Sequence, residues 1–150
     1  MNGESDMERR RCGRTNVSLQ AHLRIPLPEM GSATLILRAT VENLTLTGAR
    51  VFVAAIKKVH TPVLLRQRRT CSLILKIPGS EDQSVFASEI SWVDLRAGRT
   101  RPCAYLGLEL LEMSEGDRQR LNRFLASLLD KAGQTQRIVR SELPSRDTSF

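Results

Sequence analysis

The hydrophobic pattern of this chain changes its period once, near Ser114, and this change limits the folds open to it. Before Ser114, short segments alternate between apolar and polar residues, which is typical of half-buried β-strands. After it, apolar residues recur at helical spacing and form one stripe: Leu121, Phe124, Leu125, Leu128 and Leu129. The sequence therefore predicts a group of strands followed by one amphipathic helix.

The predicted strands number about six and are short. They cover residues 17–25, 33–41, 49–53, 70–77, 84–93 and 103–111. Phe86, Ile90 and Trp92 are expected to share one face, so Trp92 is expected to pack in the core rather than to stack on a ligand. Residues 57–69 are basic and contain Pro62, so we expect mostly loop there. This strand spacing indicates a small antiparallel barrel or sandwich, with the helix over an open apolar face.

The chain is predicted to consist of an arm, a body and a tail, and its 150 residues suit one domain. Residues 1–16 are predicted to be a flexible, arginine-rich N-terminal arm. Residues 17–133 hold the strands and the helix, which is expected to begin at a capping box, Ser114-Glu115-Gly116-Asp117, and to end near Gly133. Residues 134–150 are predicted to be a loose C-terminal tail.

The charge and the cysteines narrow the possible partners and the compartment. A net charge of +7 suits nucleic acid, an anionic membrane or a small phosphorylated ligand. Aromatic residues make up only 4% of the chain, which disfavours single-stranded nucleic acid. The three cysteines are widely spaced, so we expect reduced thiols in a cytoplasmic protein. No apolar run reaches the roughly 20 residues of a membrane span, so membrane insertion is not expected.

No pattern in the sequence predicts an enzyme. His22 and His60 have no neighbouring cysteine or histidine that would complete a metal site. The sequence contains no nucleophile elbow, zinc-protease motif or phosphate-binding loop. We therefore predict a protein without catalytic residues, metal ligands or cofactors.

An arginine cluster lies just before the first predicted strand. Within it, Arg10 and Arg14 form an R-x-x-x-R motif, and Arg9 precedes the motif. Guanidinium groups match phosphate oxygens and stack on purines. Taken alone, the cluster is better explained as a solvated run of charge.

A second motif, N-x-T-x-x-G, follows the second predicted strand. It consists of Asn43, Thr45 and Gly48. Taken alone, Asn43 is also explained by an Asx turn, and Gly48 by a turn that needs positive φ or by close approach to a ligand. The two motifs, in this order and between these strands, resemble those of the PilZ domain, a bacterial receptor for cyclic di-GMP. The resemblance extends from about residue 8 to residue 132.

The resemblance implies a six-stranded antiparallel β-barrel with a C-terminal α-helix, and it implies a ligand. The residues expected to bind cyclic di-GMP are Arg9, Arg10, Arg14, Asn43, Thr45 and Gly48. The family usually has serine or alanine where this chain has Thr45, and we expect the extra methyl group to clash with the ligand if the pocket is tight. Asn43 offers guanine one carbonyl acceptor, whereas an aspartate would offer a charged double acceptor.

Two functions remain open at this point. The first is a non-enzymatic cyclic di-GMP receptor whose N-terminal arm becomes ordered on binding and signals to a protein partner. The alternative is a PilZ-like protein-interaction module that no longer binds the ligand, for which Thr45 is the main indication. The resemblance leaves motility, adhesion, exopolysaccharide synthesis and gene control open as outputs.

Overall fold

A closed barrel of six antiparallel strands forms the body of the computed structural model, which describes residues 16–66 and 68–142. The strands are β1 (Asn16–Leu27), β2 (Ala33–Leu44), β3 (Gly48–Val53), β4 (Thr70–Lys76), β5 (Gln83–Arg96) and β6 (Cys103–Glu112). Their order around the barrel is β1-β2-β3-β6-β5-β4, and β4 pairs with β1 to close it. The predicted fold class, a mainly β six-stranded barrel with a C-terminal helix, is confirmed.

The core of the barrel is filled by the apolar face of each strand. Phe86, Leu23, Leu73 and Leu106 are completely buried, and they come from four different strands. In β2, every second residue from Leu35 to Val41 is buried. Successive side chains of a strand point to opposite faces, so the same alternation leaves the other half of each strand on the outside of the barrel.

The basic segment between β3 and β4 contains more helix than expected. A 3₁₀ turn at Lys58–His60 leads into α1 (Thr61–Leu64), where the sequence had predicted mostly loop. Pro62 lies in the first turn of α1, where its missing N–H group would have had no partner within the helix. Val63 and Leu64 are buried, so this segment closes part of the core.

The C-terminal helix, α2 (Glu115–Glu142), starts where the capping box predicts. The Asp117 backbone N–H donates to Ser114 Oγ at 3.1 Å. The predicted end near Gly133 is wrong, because glycine in a helix costs only about 1 kcal/mol relative to alanine and need not end it. Leu121 is fully buried but Leu129 is 64% exposed, so the apolar stripe covers the barrel only near its start.

Within residues 16–66 and 68–142, no helix has the length and apolar character that a membrane crossing requires. The division of the chain into an arm, a body and a tail stays a prediction.

Candidate ligand-binding site

One row of residues crosses five strands at the end of the barrel where β1 begins. Successive Cα partners along this outer row are Asn16, Asn43, Arg50, Gly107 and Trp92, on β1, β2, β3, β6 and β5. Paired residues of an antiparallel sheet point to the same face. Because Arg50 lies beside Val51, which faces the core, the row lies on the outside of the barrel. The first strand therefore begins directly beside Asn43 of the second motif.

Two β-bulges place the outer row. Glu42 is an extra residue in β2, between the pairs formed by Val41 and Asn43, and Ser91 is an extra residue in β5, between Ile90 and Trp92. An extra residue reverses the faces of the residues that follow it. The prediction that Trp92 packs in the core is therefore wrong: Trp92 lies on the outer face and is 46% exposed.

The lack of a side chain at Gly107 leaves room for the indole of Trp92 against β6. A Cβ atom at Gly107 would be only 2.0 Å from Nε1 of the indole, so any other residue would displace the ring. The hydroxyl of Ser91 donates to the Gly107 carbonyl at 3.1 Å and holds the bulge in place. The isolated glycine within β6 is the sequence signal for this contact, since glycine inside a strand often marks close approach.

Asn43 and Arg50 each bury a polar atom that has no hydrogen-bond partner. These atoms are Oδ1 of Asn43 and Nε of Arg50. Asn43 is 7% exposed, and its unpaired Oδ1 argues against the Asx turn. The guanidinium carbon of Arg50 lies 4.7 Å from the centre of the Tyr105 ring, which fixes the arginine across the outer face.

Thr45 and Gly48 build the turn between β2 and β3. The hydroxyl of Thr45 accepts hydrogen bonds from the backbone N–H groups of Gly48 at 3.0 Å and Thr47 at 3.2 Å. The hydroxyl that threonine shares with serine therefore serves the turn. Gly48 does not have positive φ; a Cβ atom there would lie 3.0 Å from the Leu108 carbonyl oxygen, so the close approach is to β6.

An ion-pair cluster lies next to this turn. Gly48 pairs with Glu109, which pairs with Glu89 on β5. Arg68 reaches both carboxylates, at 2.6 Å from Glu109 and 2.7 Å from Glu89. The hydrogen bond to Glu109 raises the pKa of Arg68 most, and the hydrogen bond to Glu89 raises it further. Arg68 adopts φ of 54°, an uncommon conformation for a residue with a side chain.

Arg69, which follows Arg68 in the basic segment 57–69, is also paired within the chain. Arg69 is almost completely buried, donates to the Val63 and Pro26 carbonyls and pairs with Glu29. The bonds from Arg69 lower the pKa of Glu29. Arg68 and Arg69 therefore brace the barrel, a role that net charge alone did not reveal.

The structure brings Asn43, Thr45 and Gly48 of the second motif together at one turn. Arg9, Arg10 and Arg14 lie outside the described residues. Within residues 16–66 and 68–142, no group of three histidine, cysteine or acidic residues forms a possible metal site. Sequence reasoning missed Arg50, because it belongs to neither motif and is one of many arginines.

The comparison with protein families decides the relationship. Residues 8–127 match the family model of the PilZ domain. The chain belongs to the PilZ domain family. Membership of the PilZ domain family agrees with the prediction of a non-enzymatic protein, since family members are receptor and effector domains. No curated protein sequence matches the chain.

Two solved structures are similar to this PilZ domain. The Bacillus subtilis inhibitor of motility, MotI/DgrA, has a TM-score of 0.55 at 19% identity, over 79% of this chain and 50% of that one. This chain thus spans about half the length of that protein. The PilZ domain of Escherichia coli YcgR, solved with cyclic di-GMP, has a TM-score of 0.50 at 16% identity, over 89% of this chain and 98% of that one. At identities this low, the similarity concerns the fold.

Proposed function

We propose that this PilZ domain is a non-enzymatic receptor for cyclic di-GMP. One observation carries the proposal: Asn16, the first residue of β1, is the Cα partner of Asn43. The arginine motif immediately precedes Asn16 in the sequence, which supports a site formed by both motifs. The YcgR domain with a similar fold was solved with this nucleotide, which supports the same choice of ligand.

Covalent geometry limits how far the arm arginines can lie from the site. Arg14 is two residues before Asn16, so it lies within about 7 Å of it along the chain. Arg10, six residues before Asn16, is within about 20 Å. We propose that Arg10 and Arg14, with Arg9, bind the phosphates and purines of a ligand seated over Asn43 and the adjacent turn.

Thr45 is compatible with this role. Its hydroxyl already organises the turn, so the substitution of threonine for serine keeps the backbone geometry that the motif needs. We expect the extra methyl group to weaken the binding rather than to abolish it. Thr45→Ser should therefore bind cyclic di-GMP more tightly than the parent.

Ordering of the arm is the proposed signal. Fixing each arm residue costs roughly 1–2 kcal/mol of backbone entropy, so the arm closes only when ligand contacts exceed this cost. The closed arm would present a new surface beside β1 to a downstream protein partner. We place the receptor in the cytoplasm, in keeping with the free thiols of Cys71 and Cys103.

Calorimetric titration of the purified chain with cyclic di-GMP tests the proposal. The parent should release or absorb heat with a saturable isotherm, and Arg10→Ala and Arg14→Ala should each lose it while keeping the parent melting temperature. Arg11→Ala, which removes a charge from the same cluster but leaves the motif intact, is the matched control. The absence of any heat at tens of micromolar ligand, with unchanged thermal stability, would refute the receptor.

The alternative, an interaction module without a ligand, makes an opposite prediction. Its protein partner would be captured equally well with and without added cyclic di-GMP. The receptor predicts capture that changes with the nucleotide and that becomes insensitive to it in Arg14→Ala.

A further inference from the structure

We propose that Arg50, which belongs to neither motif, recognises a guanine base together with Asn43 and makes the site selective for guanine over adenine. This inference rests on the proposed function, since it names the part of the ligand that the folded barrel itself contacts. It assigns base recognition to a residue fixed on β3, separately from the arginines of the arm.

Two buried polar atoms without hydrogen-bond partners lie on neighbouring strands, on Asn43 and Arg50. In the part of the chain that the structure describes, three buried side-chain atoms have no hydrogen-bond partner, on Asn43, Arg50 and Thr61. Two of these three residues are direct Cα partners on neighbouring strands. Leaving a buried polar group unpaired is unfavourable, so two such groups side by side indicate a bound group that satisfies both.

One of these two atoms accepts hydrogen bonds and the other donates them. Oδ1 of Asn43 is an acceptor and Nε of Arg50 is a donor. A phosphate has only acceptor oxygens and would leave Oδ1 unpaired. The edge of a nucleobase carries acceptors and N–H donors next to each other, so it can satisfy both atoms at once. A base edge is therefore the better match at this position.

Guanine and adenine differ in the hydrogen-bonding groups that they offer to Arg50. The guanidinium group offers adjacent donors, which match the O6 and N7 acceptors of guanine, whereas adenine has a donor, N6, beside N7. Asn43, with one acceptor and one donor group, does not by itself exclude adenine. Arg50 therefore supplies the discrimination that a neutral residue at position 43 lacks.

The guanidinium group of Arg50 is held in place by an aromatic ring. Tyr105 holds the guanidinium group at 4.7 Å from its ring centre, so little side-chain freedom is lost when a base binds. Arg96 also lies over Tyr105, at 4.9 Å, but its guanidinium group is paired with Asp94 at 2.9 Å. In the described residues no carboxylate pairs with Arg50. The two arginines thus share an aromatic neighbour and differ in whether their donors are already used.

The experiment measures the affinity of the full chain for cyclic di-GMP and for cyclic di-AMP. The variants are Arg50→Ala, Arg50→Lys and the matched control Arg96→Ala. Arg50→Ala should lose about 10- to 100-fold in affinity for cyclic di-GMP and much less for cyclic di-AMP. Arg50→Lys should show a similar loss, because lysine keeps the charge but not the planar pair of donors. Arg96→Ala should stay within about twofold of the parent, since exposed ion pairs contribute little.

Each alternative outcome has a definite meaning. An equal loss for both nucleotides, or full rescue by lysine, would show a phosphate contact and overturn base recognition. Parent-like binding by Arg50→Ala would overturn the role of Arg50 while the receptor stands. If the parent binds neither nucleotide, the receptor proposal falls and this inference falls with it. Because Arg50→Lys retains the aliphatic stem and the charge, it keeps the test decisive should Arg50→Ala unfold.

Discussion

The arginines just before β4 and the arginine on β3 differ in how their donors are used. Before β4, Arg68 and Arg69 donate to carboxylates and carbonyls of the same chain. On β3, Arg50 has a buried donor with no partner. All belong to the same basic chain, so charge alone does not separate them. The difference teaches that saturated arginines support the fold, whereas an unsaturated one points to a ligand.

The largest expected effect comes from removing the most saturated arginine. Arg69→Ala would leave the Val63 carbonyl without its partner and would leave Glu29 only its longer contact with Arg66, at 3.4 Å. Hydrogen bonds to charged groups contribute about 1.5–3 kcal/mol, so we expect a loss of about 2–3 kcal/mol in the free energy of unfolding. Urea denaturation measures this loss. A variant as stable as the parent would break the distinction between bracing and binding arginines.

The next effect concerns the site rather than the fold. Gly107→Ala would place a methyl group where the indole of Trp92 lies, so the ring must move. We expect affinity for cyclic di-GMP to fall about 10-fold and the free energy of unfolding to fall by about 1–3 kcal/mol. Calorimetry and denaturation separate the two losses. Ala87→Gly, on the same strand as Trp92 but remote from the outer row, controls for a general weakening of the sheet.

The ion pair between Arg120 and Asp117 predicts that the stability of the fold depends on pH. Burial tends to raise the pKa of Asp117, but hydrogen bonds from Arg120, Ser84 and the Val85 N–H outweigh it and lower the pKa below 3.8. The stability that Asp117 contributes is therefore complete above the unfolded pKa and is lost as pH falls through the lower folded value. Melting temperatures of the parent and Asp117→Asn should differ near neutral pH and converge below pH 3.8. A difference that persists at lower pH would contradict this assignment.

The smallest effect is expected at Arg68. Arg68→Ala leaves Glu89 and Glu109 facing each other beside Gly48, which adds negative charge near an anionic ligand. We expect affinity for cyclic di-GMP to fall only about two- to fivefold, and less at high salt, because these charges are exposed. Arg68→Gly should melt higher than Arg68→Ala, since glycine accepts the positive φ without strain. Equal melting temperatures would show that the backbone conformation changes with the side chain.

The sequence predicted the strands, the barrel and the second motif because their signals are local. Alternation marks a strand wherever it occurs, and Asn43 and Gly48 share one short turn. It could not predict the face of Trp92, because the extra residue Ser91 reverses the alternation. It could not distinguish Arg50 from other arginines, because an absent partner is a property of the folded chain. The sequence predicts the end of α2 wrongly at Gly133, because glycine only weakens a helix and does not have to end it.

The outer row has a practical consequence. The chain contains one tryptophan and one tyrosine, and both lie on the outer face of the β5–β6 pair, next to the strand that bears Arg50. The longer-wavelength ultraviolet absorption and emission of this protein therefore arise almost entirely from one small area. A base that settled there would quench or shift that emission with no background from other indoles. The unlabelled protein is thus its own optical probe of the proposed site.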